Sequence, residues 1–212
     1  MIGGIDEAGR GCVLGPMVIC LTVIDPLNEF KLKEIGVRDS KKLSPRRREA
    51  LFYVVRKLCK TSWVIISASE LNRLMENYNL NEIEAQKVAY LLQKASILPP
   101  VVYIDAPDNP PANFARRIKK YLKKQINLFC ENKAEEAHPI VGAASIVAKV
   151  VRDREIENIK EQTHLDFGSG YTSDPITINF LSKNIKNPAI IPYIRTKWKT
   201  VSDISQKKLF DF

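Results

Sequence analysis

The chain has 212 residues, of which 45% are hydrophobic and 27% charged, and 33 Lys and Arg residues against 24 Asp and Glu residues give a net charge of +9. This composition is ordinary for a globular protein, and the longest apolar stretches are far too short to span a membrane. The surplus of positive charge favours a polyanionic partner such as a nucleic acid.

The cysteines also narrow the class of protein. The four of them (Cys12, Cys20, Cys59 and Cys130) are widely spaced and form no CxxC pair, which argues against a zinc site and against a disulfide framework. We expect reduced thiols in a cytoplasmic protein. The chain opens with a short apolar strand rather than with a signal peptide, which agrees with that expectation.

The first half of the chain predicts strands and helices in alternation. Short runs rich in Ile and Val predict the strands, and Ser44 followed by Pro45 is typical of a helix start. Ser69 is the predicted cap of a second, short helix. In chain order these elements are a strand at Met1–Asp6, a strand at Met17–Ile24, a helix from Pro45 to about Cys59, a strand at Ser62–Ser67 and a helix near Leu71–Met75.

The second half of the chain is richer in helices. The predicted elements are an amphipathic helix at Asn81–Ser96, a strand at Val101–Asp105, a basic helix at Asn113–Lys124, a strand at Ile126–Cys130, a long helix at Pro139–Glu161 and a helix at Asp174–Lys183. Interleaved strands and helices indicate an α/β fold. Because one short link joins the first two strands, we expect a mixed sheet rather than a fully parallel one.

Acidic residues recur at the ends of the predicted strands. Asp6 and Glu7 end the first strand, Asp105 ends the fourth, and Glu135 and Glu136 follow the fifth. If the first and fourth strands are parallel neighbours, their acids emerge at the same edge of the sheet. Carboxylate oxygens suit Mg²⁺ or Mn²⁺, and two such ions can activate water and stabilise the leaving oxygen in phosphodiester cleavage.

The chain lacks the residues that other kinds of catalysis require. The chain has only two histidines, His138 and His164, and neither lies in a nucleophile motif. It has no Walker loop and no dinucleotide-binding fingerprint. A metal-dependent enzyme acting on phosphate chemistry is therefore the favoured interpretation.

Five motifs in a fixed order carry a family resemblance. They are Gly4-Ile5-Asp6-Glu7-Ala8-Gly9-Arg10-Gly11, Asp39-Ser40-Lys41-Lys42-Leu43, Tyr103-Ile104-Asp105-Ala106, the run from Ala143 to Asp153, and Gly168-Ser169-Gly170-Tyr171-Thr172-Ser173-Asp174-Pro175. With them the chain resembles ribonuclease HII, the type 2 ribonuclease H family, in its archaeal form. The resemblance covers residues 1 to about 200.

The resemblance implies a ribonuclease H-like mixed sheet flanked by helices, with a helical C-terminal extension. It also implies endonucleolytic cleavage of the RNA strand in RNA–DNA hybrids by metal-activated water, including at single ribonucleotides in duplex DNA. The products would carry 3′-hydroxyl and 5′-phosphate ends. A function in DNA replication and repair, and a monomeric state, follow from the same resemblance.

Residue roles carry over from the resemblance position by position. Asp6, Glu7 and Asp105 match three metal-site acids of the family. The fourth is usually Asp in a Lys-Ala-Asp-Ala pattern, whereas this chain has Lys133-Ala134-Glu135-Glu136. Glu135 takes that place, with Glu136 as the alternative.

The same resemblance implies how substrate is bound. The main chain of Gly9, Arg10 and Gly11 would sense the ribose 2′-hydroxyl, and Tyr171 would contact the sugar. A loop entering a helix N-terminus suits anions, so we expect four residues near that helix start to bind phosphates: Ser40, Lys41, Lys42 and Arg46.

The end of the chain resembles a sliding-clamp interaction motif. Gln206, Leu209 and Phe212 fit the pattern Gln-x-x-Leu-x-x-aromatic, in which an aliphatic and an aromatic side chain anchor a turn in an apolar pocket. We expect a catalytic domain at 1–165, a helical region at 166–205 packing by the substrate cleft, and a tail at 206–212. Two alternative functions stay open, a carboxylate nuclease for DNA junctions and an inactive hybrid-binding protein.

Overall fold

A computed structural model describes residues 1–37 and 43–210, and it describes side chains up to residue 206. Three of the residues expected to bind phosphate, Ser40, Lys41 and Lys42, lie outside the described part. In the tail, Phe212 lies outside it as well, and the side chain of Leu209 is not among those described.

The sheet has five strands in the order β3-β2-β1-β4-β5. They are β1 (Ile2–Ala8), β2 (Met17–Ile24), β3 (Lys60–Ile66), β4 (Val101–Asp105) and β5 (Asn127–Glu131). β1 is antiparallel to β2 and parallel to β4, and β4 is parallel to β5. The mixed sheet is therefore confirmed, and so is the expectation that β1 and β4 are parallel neighbours.

Nine helices cover or follow this sheet in the described part of the chain. They are α1 (Glu29–Glu34), α2 (Pro45–Leu58), α3 (Ala68–Leu74), α4 (Leu80–Lys94), α5 (Ala112–Lys119), α6 (Ala134–Ala137), α7 (Pro139–Thr163), α8 (Pro175–Asn184) and α9 (Lys199–Phe210). Two 3₁₀ turns lie at Pro26–Asn28 and Ile191–Tyr193.

Two predicted helix ends are wrong. The cap of α3 is Ser67 rather than Ser69, because the Ser67 hydroxyl accepts the N–H of Glu70 at 3.1 Å. The basic helix α5 ends at Lys119 and not at Lys124. Just beyond its end, Tyr121 donates its hydroxyl to Glu82 of α4 at 2.6 Å, and this tertiary contact competes with a further helical turn.

The central strand β1 lies against the first turn of α7. A Cβ on Gly4 would collide with the carbonyl group of Ile140, so only glycine fits at this position. The hydroxyl of Thr22 in β2 donates to the Ile140 carbonyl at 2.8 Å. The close approach brings the small-residue half of α7 onto the strand that carries Asp6.

The contacts divide the chain into two units. The first consists of Met1–Ala8, Val18–Val64 and Asn79–Val150, and it holds most of the sheet. The second consists of Gly9–Met17, Ile65–Tyr78 and Val151–Phe212, and it has its own apolar core around Leu14, Phe167 and Leu181. The division at residues 165 and 205 stays a prediction.

The thiols of the four cysteines are free, and three of them are buried. Burial raises the pKa of each thiol, and for Cys59 and Cys130 it does so to about 12. In the described residues, no helix combines the length and the apolar character that crossing a membrane requires.

Candidate metal centre and substrate loop

Three carboxylates converge where β1 and β4 end. One oxygen each from Asp6, Glu7 and Asp105 lies within 4.8 Å of the others. The parallel register, in which Ile5 pairs with Ile104, puts the residues that follow side by side. Two distant stretches of sequence thus meet at one edge of the sheet, as the strand pattern predicts.

Asp6 lies in the most enclosed position of the three. It is 5% exposed, and burial raises its pKa because a charged carboxylate loses its hydration. The positive charge of Lys149, a hydrogen bond with the Ser145 side chain and the Glu7 N–H, which donates at 2.7 Å, act in the opposite direction. Burial outweighs these three effects, so the net direction of the pKa of Asp6 is upward.

Asp105 also organises the segment that follows β5. Its Oδ1 accepts the N–H of Ala134 at 2.9 Å, which fixes the start of the short helix α6. Lys133, just before, adopts a left-handed conformation with φ 59°. The two glutamates of α6 that follow lie in different surroundings.

Glu135 and Glu136 differ in their exposure to solvent. Glu135 is 4% exposed, and its charge contributes to the raised pKa of Asp6. Glu136 is exposed. Among the described residues, the group within 4.8 Å contains neither of them, so Glu135 is a buried charge near Asp6 rather than a member of that group.

The donor set fits a divalent cation with a preference for oxygen. Carboxylates this close repel each other, and a cation between them removes that repulsion. The ligand atoms are all carboxylate oxygens, which is the chemistry that Mg²⁺ and Mn²⁺ prefer over the nitrogen and sulfur ligands of zinc.

Two further side chains lie at this site, those of Ser145 and Lys149, and the sequence interpretation did not place them there. Both lie on α7, where Lys149 donates to Ser145, and both act on the Asp6 carboxylate. Their spacing of four residues on one helix face was the available signal.

The second unit contains the glycine-rich loop expected to bind substrate. Gly9 has φ 80°, and a Cβ there would lie 2.7 Å from the carbonyl oxygen of Pro16. The N–H groups of Val13 and Leu14 donate to the Gly170 carbonyl at 2.9 and 3.2 Å. The loop 9–15 is thereby fastened to the segment that carries Tyr171.

Tyr171 is half-buried beside that loop. The guanidinium of Arg152 lies 4.5 Å from the centre of its ring, and Cys12 forms an isolated β-bridge with it. Burial and the neighbouring Cys12 thiol raise the pKa of Tyr171 to about 12, against the opposing effects of Arg152 and the Gly9 main chain. The structure thus brings Gly9 and Tyr171, two of the expected substrate-binding residues, into one hydrogen-bonded arrangement.

The other expected binding residues differ in their exposure. Arg10 is half-buried and Gly11 is exposed. Arg46 lies exposed in the first turn of α2, whose N-cap Ser44 accepts the N–H of Arg47 at 3.3 Å. Gln206 is exposed on α9.

Comparison with known proteins gives a consistent set of relatives. The family model for ribonuclease HII matches residues 3–201. A ribonuclease HII of Nanoarchaeum equitans is 48% identical over 210 residues, which are 99% of this chain and 98% of that protein.

Solved structures agree in both sequence and fold. The ribonuclease HII of Archaeoglobus fulgidus, solved as a complex with PCNA, is 42% identical with a TM-score of 0.88, and the match covers 100% of each chain. A ribonuclease H2 from Pyrococcus horikoshii OT3 is 39% identical with a TM-score of 0.86, and the match covers 97% of each chain.

Proposed function

This chain belongs to the ribonuclease HII family, whose members are endoribonucleases acting on RNA–DNA hybrids, and we propose which of its residues perform that reaction. It has the ribonuclease H-like fold, with a mixed sheet of five strands flanked by helices. Enzymes of this family depend on divalent metal ions. The proposal therefore concerns the metal site, the substrate contacts and the partner.

The metal site that we propose consists of Asp6, Glu7, Asp105 and Glu135, with Mg²⁺ or Mn²⁺ as the ion. One observation carries this proposal: three carboxylate oxygens from two parallel strands lie within 4.8 Å of one another. The burial of Glu135 and its charge effect on Asp6 support it, rather than the exposed Glu136, as the fourth acid.

Hydrolysis at this site forms a bond between phosphorus and a water oxygen and breaks the bond from phosphorus to O3′. The products are a 3′-hydroxyl and a 5′-phosphate. A bound divalent ion supplies activation of water and stabilisation of charge on the leaving oxygen. The carboxylates hold their positions for this task because β1, β4 and α6 fix them, and Lys149 and Ser145 support the ionised form of Asp6.

The substrate that we propose includes a single ribonucleotide within duplex DNA. Recognition of one such nucleotide requires a contact with its 2′-hydroxyl. The main chain of Gly9, Arg10 and Gly11 is suited to this contact, because two of the three residues lack a Cβ, and Tyr171 lies beside Gly9. For the flanking phosphates we retain four residues: Ser40, Lys41, Lys42 and Arg46.

Cleavage of a defined duplex tests the proposal directly. A DNA duplex carrying one ribonucleotide should be cut once at that nucleotide, with a 3′-hydroxyl and a 5′-phosphate, when Mg²⁺ or Mn²⁺ is present. An identical all-DNA duplex and a reaction with EDTA are the controls. Preferential cutting of an all-DNA junction would support a junction nuclease instead, and binding without turnover would support an inactive hybrid-binding protein.

We further propose a sliding clamp as partner, through Gln206, Leu209 and Phe212. The relative from Archaeoglobus fulgidus was solved in complex with PCNA, and the match covers all of this chain. Deletion of residues 206–212 should abolish binding to the clamp and leave cleavage in the absence of the clamp unchanged. Unchanged clamp binding would contradict the proposal.

We further propose that the protein is a monomer. We also propose that it acts in the cytoplasm, in DNA replication and repair. Light scattering during chromatography, with and without a hybrid duplex, tests the monomeric state.

A further inference from the structure

Arg195 is the largest fully buried side chain in the described part of the chain, with an exposure of 0%. Its Nε donates to the carbonyl oxygen of Gly15 at 2.9 Å, and its Nη1 donates to the carbonyl oxygen of Arg10 at 3.0 Å. Its main-chain N–H donates to the Val13 carbonyl at 2.9 Å. One residue near the end of the chain therefore fastens the loop 9–15 at three carbonyl groups.

The bond to Arg10 has a consequence for its neighbour. The carbonyl of Arg10 and the N–H of Gly11 belong to one planar trans peptide, in which the two groups point in opposite directions. By holding the carbonyl, Arg195 sets the direction of the Gly11 N–H, away from its own guanidinium. Gly11 is exposed, and a Cβ built on it would meet no heavy atom within 4 Å. A ligand can approach the main chain there.

A second buried arginine holds the other side of the loop. Arg152 is 2% exposed, and its Nη2 donates to the Cys12 sulfur at 2.9 Å and to the Ser169 carbonyl. Its guanidinium stacks on Tyr171. The loop thus has guanidinium contacts at Cys12 as well as at Arg10 and Gly15, which leaves the Arg10–Gly11 peptide little freedom to rotate.

We propose that Arg195 is a positioning residue for recognition of the ribose 2′-hydroxyl, because it orients the Arg10–Gly11 peptide. This inference rests on the proposed function of the Gly9–Gly11 main chain. Arg195 is buried and acts through the loop rather than by touching substrate. The role needs a planar fork that donates to two carbonyls in fixed directions, which a lysine ammonium does not provide.

The test compares two substrates and two variants. The duplexes differ only at one nucleotide, which carries either a 2′-hydroxyl or a 2′-fluorine. A site built to hydrogen-bond a hydroxyl rejects an analogue without it, so the wild-type enzyme should have a higher kcat/KM on the first duplex. In Arg195→Lys and Arg195→Met we expect this preference to fall about tenfold, the effect of losing roughly one well-oriented hydrogen bond.

Two further measurements separate positioning from general stability. Val201→Ala trims the apolar core of the same unit, and it should lower the thermal midpoint without changing the preference. The affinity for Mn²⁺, measured by calorimetry, should be the same in Arg195→Lys as in the wild type, since Asp6, Glu7 and Asp105 belong to the other unit.

The outcomes are distinguishable. If Arg195→Lys slows both duplexes equally and keeps the wild-type preference, the residue is merely structural and the inference is wrong while the proposed function stands. If the wild-type enzyme itself does not prefer the 2′-hydroxyl duplex, the proposed recognition by Gly9–Gly11 is wrong, and the inference about Arg195 is overturned with it.

Discussion

The carboxylates of β1 and β4 and the guanidiniums around the loop 9–15 are two groups of charged side chains with different partners. Asp6 and both arginines are buried, whereas Glu7 and Asp105 are half-buried. Arg152 and Arg195 donate to main-chain carbonyls and to a thiol. Asp6, by contrast, lies beside Glu7 and Asp105, and burial raises its pKa. Guanidiniums that donate to neutral acceptors of the protein stabilise a local structure. Carboxylates that the fold brings together repel each other until a cation binds between them.

Replacement of a converging acid should give the largest effect and should separate activity from stability. Asp105→Asn keeps the acceptor for the Ala134 N–H but removes a charged ligand, and we expect cleavage to fall on the order of 1000-fold. Without divalent ions the thermal midpoint should stay unchanged or rise, because repulsion is relieved. Single-turnover cleavage and calorimetry check this. Near-normal turnover would remove Asp105 from the site.

Replacement of a buried guanidinium, by contrast, should lower the stability of the fold. Arg152→Met removes the donors to Cys12 and Ser169 and should lower the free energy of unfolding by about 3 kcal/mol. Arg154→Met, at an exposed position on the same helix, should cost less than about 0.5 kcal/mol. Urea titrations measure both. Equal costs would mean that the Arg152 contacts contribute nothing particular to the second unit.

Variants of the two glutamates of α6 show which of them belongs to the acid cluster. Glu135→Gln should reduce kcat at least about tenfold, since a buried charge close to Asp6 is lost, whereas Glu136→Gln should stay near the wild-type rate. Steady-state rates at saturating Mn²⁺ give the comparison. The reverse order would make Glu136 the fourth acid.

The smallest effect concerns an acid whose partners are all supplied by the protein. Asp174 accepts the Ser169 N–H and hydroxyl, each at 2.7 Å, and the Ile176 N–H at 2.9 Å. The Ser169 donors lower its pKa to about 2. Asp174→Asn should lower the free energy of unfolding by about 1 kcal/mol at pH 7.

The pH dependence of that effect follows from the direction of the shift. A lowered pKa in the folded state means that the carboxylate stabilises the protein above its unfolded pKa of about 3.9, and that this contribution is lost as the pH falls towards 2. The gap between Asp174→Asn and the wild type should therefore narrow between pH 5 and pH 3 in urea titrations. A constant gap would indicate that the charge of Asp174 is not involved.

Much of the sheet and the convergence of its acids could be predicted because they depend on local patterns. The bounds of β2 and β4 agree with those predicted from Ile- and Val-rich runs. The acids of β1 and β4 come directly after apolar residues of the same strands, and one short link implies an antiparallel first pair. The residue types of the strands and their order along the chain were sufficient to predict this part of the structure.

The surroundings of the loop 9–15 could not be predicted in the same way. The Cys12–Arg152 contact spans 140 residues and the Arg10–Arg195 contact spans 185, and nothing local marks either arginine as buried. Short elements were missed for a related reason. The helix α6 has four residues, and the Asp105 contact with Ala134, rather than helix propensity, stabilises its start.

The three buried thiols, those of Cys12, Cys20 and Cys59, can report how often the structure around them opens. Because a thiol with a raised pKa is almost wholly protonated at neutral pH, alkylating reagents should react with it only while its surroundings are transiently open. Cys12 belongs to the second unit, and Cys20 and Cys59 belong to the first. Mass spectrometry of peptides after pulses of iodoacetamide would thus report separately how often each unit opens locally.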